Sequence, residues 1–313
     1  MMHTQNTIRI LLAGMVLALV ACSGERSGEP APAPAPDPQA TPAPDIELDG
    51  DGRDAAAKLA AALAAQPEEA QARYQHRRPA ETLNFFGIEP GMSVAEVFPG
   101  GGWYSKILLP YLGEDGRLIG VDYPIELFSL FGFMSEEQLQ AKETWVETWT
   151  ETAQEWRGDE GAQVSAFVIG ALPDEMIGTA DAVLMIRALH NLARFEHEGD
   201  FLDQTLRDVH AVLRPGGIVG VVQHEARPEM PDEWANGDAG YLKRAFVIER
   251  FEAAGFELVA HSDINANPLD QPGTDDVVWR LPPSLVTSRD DPDLREQMQA
   301  IGESHRMTLK FRR

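Results

Sequence analysis

The chain has 313 residues, of which 50 are acidic and 26 are lysine or arginine, for a formal net charge of −24 at pH 7. A field of that sign repels nucleic-acid phosphates, and no basic cluster outside the extreme C-terminus relieves it, so a nucleic-acid partner is not expected. The single cysteine, Cys22, excludes an internal disulfide framework.

In chain order, the first feature is the apolar run Ile10 to Val20, preceded by Arg9 and by no acidic residue. It is shorter than the roughly 20 residues of a bilayer-spanning helix and reads as the apolar part of a signal segment over residues 1–21. Leu19-Val20-Ala21-Cys22 resembles the lipobox of bacterial lipoproteins, which implies lipidation of Cys22 and a membrane partner through that anchor. Ser23, rather than Asp, follows the cysteine, and by the same resemblance this implies the periplasmic face of the outer membrane of a Gram-negative bacterium. Residues 22–53 alternate Pro with Ala and carry almost no apolar bulk, so they read as an extended tether. Residues 54–313 are expected to form the folded domain, with a helical N-terminal extension.

Asp54 to Tyr74 is rich in Ala and predicts one or two helices interrupted near Pro67; Pro79 to Phe86 predicts another, closed by Gly87. Strands and helices then alternate. Short apolar runs predict strands over Ser93 to Phe98, Arg117 to Val121, Val164 to Ile169, Asp181 to Ile186 and Gly217 to Val222. Such continuously apolar runs suit parallel strands covered on both faces. Helices are predicted over Trp103 to Leu112, Ser135 to Arg157, Phe201 to Leu213 and Tyr241 to Ala254. The tryptophans of the second of these, at 145, 149 and 156, fit core packing better than a ligand cage. A sixth strand over Phe256 to His261 and a seventh over Met307 to Phe311 complete a doubly wound, Rossmann-like α/β domain of seven strands with one antiparallel edge.

The first strand ends in Pro99-Gly100-Gly101-Gly102, where successive glycines allow close approach of a ligand to backbone N–H groups at a helix start. The second strand ends at Asp122, an acid placed to accept hydrogen bonds from ribose hydroxyls. These parts alone fit a dinucleotide as well as a nucleoside cofactor.

Together with Glu96 in the first strand, the small turn Gly170-Ala171 after the third and Leu213-Arg214-Pro215-Gly216-Gly217 before the fifth, the arrangement resembles the class I S-adenosylmethionine-dependent methyltransferases. More narrowly, RRPAETLNFF (Arg77 to Phe86), PGGGWY (Pro99 to Tyr104), His190-Asn191, SDINANP (Ser262 to Pro268), WRLPP (Trp279 to Pro283) and IGESHRMTLKF (Ile301 to Phe311) are similar to a group of exported bacterial methyltransferases. The resemblance implies S-adenosylmethionine as cofactor and a seven-stranded sheet whose last strand is antiparallel. It places Glu96 near the methionine end of the cofactor, Gly100 and Gly102 at the two later glycines, Asp122 on the ribose and Gly170 with Ala171 beside adenine. Pro99, Gly101, Tyr104, Tyr123 and Arg187 complete the implied cofactor set. Phe98 stands where many such enzymes have their first glycine, and either narrows the methionine pocket or packs beneath it.

Methyl transfer to a protonated nucleophile needs an aligned acceptor and a base. His190 and Asn191, just after the fourth strand, and His224, after the fifth, are the candidate catalytic residues, with His190 as base and Asn191 orienting substrate or cofactor. Arg187 is placed to hold a carboxylate of cofactor or substrate, or else to pair with one of the chain's own abundant acids. Asp263, Asn265, Asn267 and the run Glu303-Ser304-His305-Arg306 either form turns or line the substrate mouth. No metal site is expected. The implied function is methyl transfer to a small molecule, lipid or envelope component in the periplasm; the alternative is a non-catalytic ligand-binding or assembly lipoprotein that keeps the fold.

Overall fold

The computed structural model describes residues 50–313. The expected signal segment, the lipidation site at Cys22 and the tether up to residue 49 lie outside the described residues. Helix α1 (Gly50–Ala64) begins four residues before the expected Asp54, so it takes in the last residues assigned to the tether. Helices α2 (Glu68–Gln71), α3 (Tyr74–Arg77) and α4 (Pro79–Phe86) follow, with the break at Pro67 and the stop at Gly87 (φ 76°) where the sequence puts them.

The alternating part comprises β1 (Ser93–Val97), α5 (Ser105–Leu112), β2 (Arg117–Asp122), α6 (Ile125–Leu130), α7 (Glu136–Gln140), α8 (Trp145–Arg157), β3 (Gln163–Val168), β4 (Ala180–Ile186), α9 (Leu189–Arg194), α10 (Glu196–Gly199), α11 (Phe201–Val212), β5 (Leu213–Ala226), β6 (Leu242–Lys243), α12 (Arg244–Ala253), β7 (Glu257–Ser262), α13 (Pro292–Ile301) and β8 (Arg306–Arg312). The strand order is β3-β2-β1-β4-β5-β8-β7, with the two-residue β6 paired to the end of β5. The five strands β1 to β5 run parallel to one another, and β8 is antiparallel to both β5 and β7.

The expected antiparallel last strand is therefore present, but it is inserted between β5 and β7 rather than placed at the edge. Its burial explains this. Met307, Thr308, Leu309 and Phe311 are all fully buried, as an interior strand covered on both faces must be, whereas β7 is only half-buried along its length and forms the edge.

Alternate residues of the strands feed two cores. On one face Val94 and Leu118 pack with Leu59 of α1, Leu83 and Phe86 of α4, Ile107 and Leu108 of α5, and Trp149 of α8. On the other, Ala95, Val97 and Ile119 pack with Leu127 of α6, Leu192 of α9, Leu206 and Val209 of α11, and Phe251 of α12. This two-sided cover is what makes the strand sequences continuously apolar.

Helices α6, α9 and α10 lie in stretches for which no helix is expected, and three further helices differ from expectation. The helix expected over Ser135 to Arg157 is two: α7, capped by Ser135 Oγ accepting from the Gln138 amide at 3.2 Å, and α8, separated by turns at 141–144. The break turns Lys142 inward toward Asp122. Trp145 and Trp149 stack on each other and Trp149 is buried in the core, as expected of packing residues. The helix expected from Tyr241 starts at Arg244, because Leu242 and Lys243 pair with Glu225 and Ala226. Helix α13 was not expected, although Asp291-Pro292 is a legible start: Asp291 Oδ1 caps the Leu294 amide at 2.9 Å.

Candidate functional site

A cavity of about 830 Å³ opens over the carboxyl ends of β1, β4 and β5. Open α/β sheets bind ligands in this place, because the strand order reverses there and leaves a crevice between diverging connections. Phe98, Pro99, Gly100 and Gly101 supply one wall from the β1 turn; Ile186, Arg187, His190 and Asn191 supply another from the end of β4. The helical extension lines it with Arg73 and Arg77, and Trp279, Leu281, Pro282, Pro283 and Ser284 line it as well.

Of the expected cofactor residues, Pro99, Gly100, Gly101 and Arg187 line this cavity. The others lie beneath or beside it. Glu96 is buried, accepts a 2.6 Å hydrogen bond from Ser105 Oγ, and its carboxyl is pushed up to about 7 by burial, which the Ser105 bond only partly offsets. Gly102 is covered by the Trp156 ring: a Cβ there would come within 2.2 Å of it, so this glycine serves helix packing and not the cavity. Tyr104 is buried, and its hydroxyl is pushed up to about 12 by burial against the pull of Arg77 and Arg306.

Asp122 ends β2 as expected, but Lys142 Nζ donates to its Oδ2 at 2.7 Å and also lies 4.0 Å from the Phe128 ring centroid. The aromatic ring of Tyr123 stacks on Phe98, with centroids 4.4 Å apart, and its hydroxyl donates to the Ala188 carbonyl at 2.6 Å. Phe98 has a left-handed φ of 55°, a conformation that costs a non-glycine residue about 1–2 kcal/mol. Its ring is tied to Tyr123 and packs at 6.2 Å against Phe128, so it both covers the β2 end and faces the cavity. Gly170 and Ala171 are exposed after β3, and the Gly170 amide is taken by Asp208 Oδ2 at 2.6 Å.

The three catalytic candidates do come together. His190, Asn191 and His224 all reach the cavity region; the two imidazole rings are 5.4 Å apart and both line the wall. His190 Nδ1 faces Gln223 Oε1 at 3.4 Å, and His224 Nδ1 pairs with Ser304 Oγ at 2.5 Å. Burial pushes His190 down to about 4 and His224 well below its ordinary value, with the positive charge of Arg187 acting on both in the same direction. Both rings are therefore neutral at pH 7, so His190 offers a lone pair or an N–H but resists holding an added proton. The near-neutral titration expected from the free imidazole does not survive burial.

The sequence reading passed over the strongest electrostatic feature. Glu303 accepts from Arg73 Nε at 2.8 Å, from Arg77 Nε at 3.2 and 3.3 Å, and from Arg306 Nη1 at 3.2 Å. Its carboxyl is held down at about 2 by these guanidinium groups despite burial. Arg187 faces the same group of charges. Arg77 sits in the block RRPAETLNFF and Glu303 and Arg306 in IGESHRMTLKF, 226 residues apart for Arg77 and Glu303, with Arg73 and Arg187 outside both, which is why neither block reveals the cluster. Asn265 and Asn267, by contrast, are structural. Asn265 donates to Thr82 and Thr308, and Asn267 to the Ile301 and Glu303 carbonyls.

Comparison with known proteins gives likeness of structure. The strand order, with antiparallel β8 between β5 and β7, is the topology of the Rossmann-like class I methyltransferase fold. The chain is similar to the [4+2]-cyclase SpnF (17% identity over 76% of this chain and 80% of that one, TM-score 0.46) and to an S-adenosylmethionine-dependent methyltransferase from Aquifex aeolicus (18%, 66% and 93%, TM-score 0.41). It is also similar to the 1,6-didemethyltoxoflavin-N1-methyltransferase of Burkholderia thailandensis (16%, 86% and 92%, TM-score 0.41). No family model matches the chain, and no curated protein matches it.

Proposed function

We propose that the chain is an S-adenosylmethionine-dependent methyltransferase acting on a small molecule, lipid or envelope component, carried to the periplasm and anchored through Cys22. The observation that carries the reading is the cavity itself. It opens at the carboxyl ends of β1 and β4, beside the Gly100-Gly101 turn, with His190, Asn191 and Arg187 on its wall. The donor set suits the cofactor in kind: a glycine turn, a carboxylate ending β2, and a guanidinium able to meet a carboxylate. When bound, the cofactor supplies an electrophilic methyl group. The chain's own residues would position the acceptor: Asn191 and His190 by hydrogen bonds, and Trp279 by its ring, whose centroid is 5.9 Å from that of His190.

A ribose reaching Asp122 meets a buried carboxylate whose Oδ2 already accepts from Lys142, so its hydroxyls compete with that ammonium for this oxygen. The Lys142 contact and the Phe98–Tyr123 stack together favour a second reading, a non-catalytic lipoprotein that keeps the fold to bind a ligand. Calorimetric titration of the full chain with S-adenosylmethionine and S-adenosylhomocysteine separates the two. Saturable binding that Asp122→Ala abolishes supports the enzyme. No heat from either compound with folded protein overturns it in favour of the second reading. Metabolic labelling with a radiolabelled fatty acid tests the anchor, with Cys22→Ser expected to lose the label.

A further inference from the structure

We propose that the arginine-lined end of the cavity is a binding site for a small anion carrying two or more negative charges, a polycarboxylate or a phosphorylated compound, and that this anion is the molecule the protein acts on. Only the second half of this statement rests on the methyltransferase reading. The site itself stands on the arrangement of charge.

Four guanidinium groups, those of Arg73, Arg77, Arg187 and Arg306, surround the one carboxylate of Glu303. That leaves an excess of three positive charges in a chain whose formal net charge is −24, so composition does not account for it. Arg77, Arg306 and Glu303 are each less than 5% exposed. Concentrating like charges in a weakly screened place is costly unless counter-charge is supplied. Arg77 is pushed down to about 9 and Arg187 to about 10, in each case by burial first. Repulsion from neighbouring arginines adds to the downward push.

Arg187 is the member aimed at a ligand. Arg187 lines the cavity together with Arg73 and Arg77, but whereas those two and Arg306 each pair with Glu303, no carboxylate pairs with Arg187 among the described residues, and its Nε is buried with no hydrogen-bond acceptor. Its backbone holds a left-handed φ of 59° directly after β4, fixed by its amide donating to the Val222 carbonyl at 2.6 Å. A planar guanidinium presented in this way suits a two-point contact to carboxylate or phosphate. Neutral donors stand next to it: His190, Asn191 and Ser304 line the same space, able to bond an anion without adding charge.

The same chemistry fits either the acceptor substrate or the carboxylate of the cofactor's methionine end, and the test distinguishes them. The full chain is titrated with citrate and with pyrophosphate at constant ionic strength, with acetate as the singly charged control, by calorimetry and thermal shift. Citrate or pyrophosphate is expected to bind saturably and raise Tm, and acetate to do neither. Arg187→Met, which removes a cation lacking a partner and so keeps the fold, is expected to weaken the anion at least tenfold; Arg207→Met, a surface control, leaves it unchanged. Near-UV circular dichroism checks the fold, and Arg73→Gln at the half-exposed edge of the cluster is the second variant, expected to weaken the anion in the same direction. Absence of saturable binding, or equal binding by Arg187→Met, overturns the site. In the second arm, S-adenosylhomocysteine is titrated into protein saturated with citrate. Unchanged affinity supports a separate acceptor site. Competition between them, with Arg187→Met losing both to the same degree, assigns the arginines to the cofactor and overturns the acceptor reading while leaving the methyltransferase reading intact.

Discussion

Lys142 and Asp122 form a charge-assisted pair, Nζ to Oδ2 at 2.7 Å, in which the carboxylate is buried and the lysine only partly so. The ion pair links the break between α7 and α8 to the end of β2. It also makes the protein's own side chain the competitor of any ribose at this strand end. Lys142→Met is therefore expected to raise affinity for S-adenosylhomocysteine at least threefold, and Asp122→Ala to remove binding in either background. The same substitution leaves Asp122 buried without its cation, so stability should fall by about 1–3 kcal/mol, less than the 3–5 of a fully buried pair because Lys142 retains contact with water. Urea unfolding of the two single variants and of the double variant gives the coupling between them; a coupling near zero would falsify the pairing.

Glu96 gives a pH test with a definite sign. Its carboxyl is raised to about 7 from an ordinary 4.5, chiefly by burial. Between those two values the native state keeps a proton that the unfolded chain has released, so this group lowers stability as pH rises through the window. At about 1.4 kcal/mol per pH unit the loss approaches 3 kcal/mol by pH 7. Glu96→Gln keeps an acceptor for Ser105 and has nothing to ionise. Its stability relative to the parent chain should increase from pH 4.5 to pH 7 and level off above, as read from denaturant unfolding at several pH values. A difference independent of pH would show that Glu96 is not buried as described.

How far the sequence told of this site follows from the range of the interactions. The strands, the glycine turn and the acids at the ends of β1 and β2 were legible because each depends on a few consecutive residues with a fixed period or turn chemistry. The cavity wall from Arg187 to Asn191 was legible for a related reason, since it directly follows a strand. The roles were not. Glu96, Gly102 and Asp122 are expected to face a ligand, and the sequence does not show that each also meets a side chain of the chain itself, Ser105, Trp156 and Lys142, supplied by α5 and by the region around α8. Lys142 falls inside the single helix expected over Ser135 to Arg157, and only the turn at 141–144 brings it to Asp122. The arginine cluster was beyond reach because it joins α3, the end of β4 and the start of β8, elements that only the completed sheet brings together.

Imidazole burial predicts a second pH dependence, opposite in sign to that of Glu96. His190 is lowered to about 4 from 6.5, first by burial and then by Arg187 and Arg194, against a raising contact with Gln223. As pH falls from 6.5 toward 4 the unfolded chain takes up a proton that native His190 refuses, so stability is lost across that interval, by up to about 3 kcal/mol for this residue. His224 acts in the same direction. His190→Gln should flatten the parent chain's decline below pH 6.5 while leaving stability above pH 7 within about 1 kcal/mol, since an amide preserves a partner for Gln223. Saturating citrate adds a second readout: negative charge next to Arg187 should raise the His190 midpoint, visible as a shift of its imidazole resonances toward neutral pH.

One wall of the cavity depends on one buried carboxylate. Asp270 accepts from Arg280 Nη2 at 2.7 Å, from the Tyr241 hydroxyl at 2.9 Å and from the His305 amide at 2.9 Å, and its side chain is wholly buried. Arg280 lies between Trp279 and Leu281, which line the cavity, so this network fixes the wall segment against β6 and the start of β8. Asp270→Ala strands a guanidinium that is 6% exposed with only the half-exposed Asp276 at 3.4 Å as a remaining anion, and should cost about 3–5 kcal/mol. Asp270→Asn keeps the shape and an acceptor but loses the charge, and should cost about half as much. Hydrogen exchange locates the effect: amides of 278–285 should exchange faster in Asp270→Asn while those of β1 and β4 stay protected. If exchange instead accelerates uniformly along the chain, the network supports the whole fold and not this wall in particular.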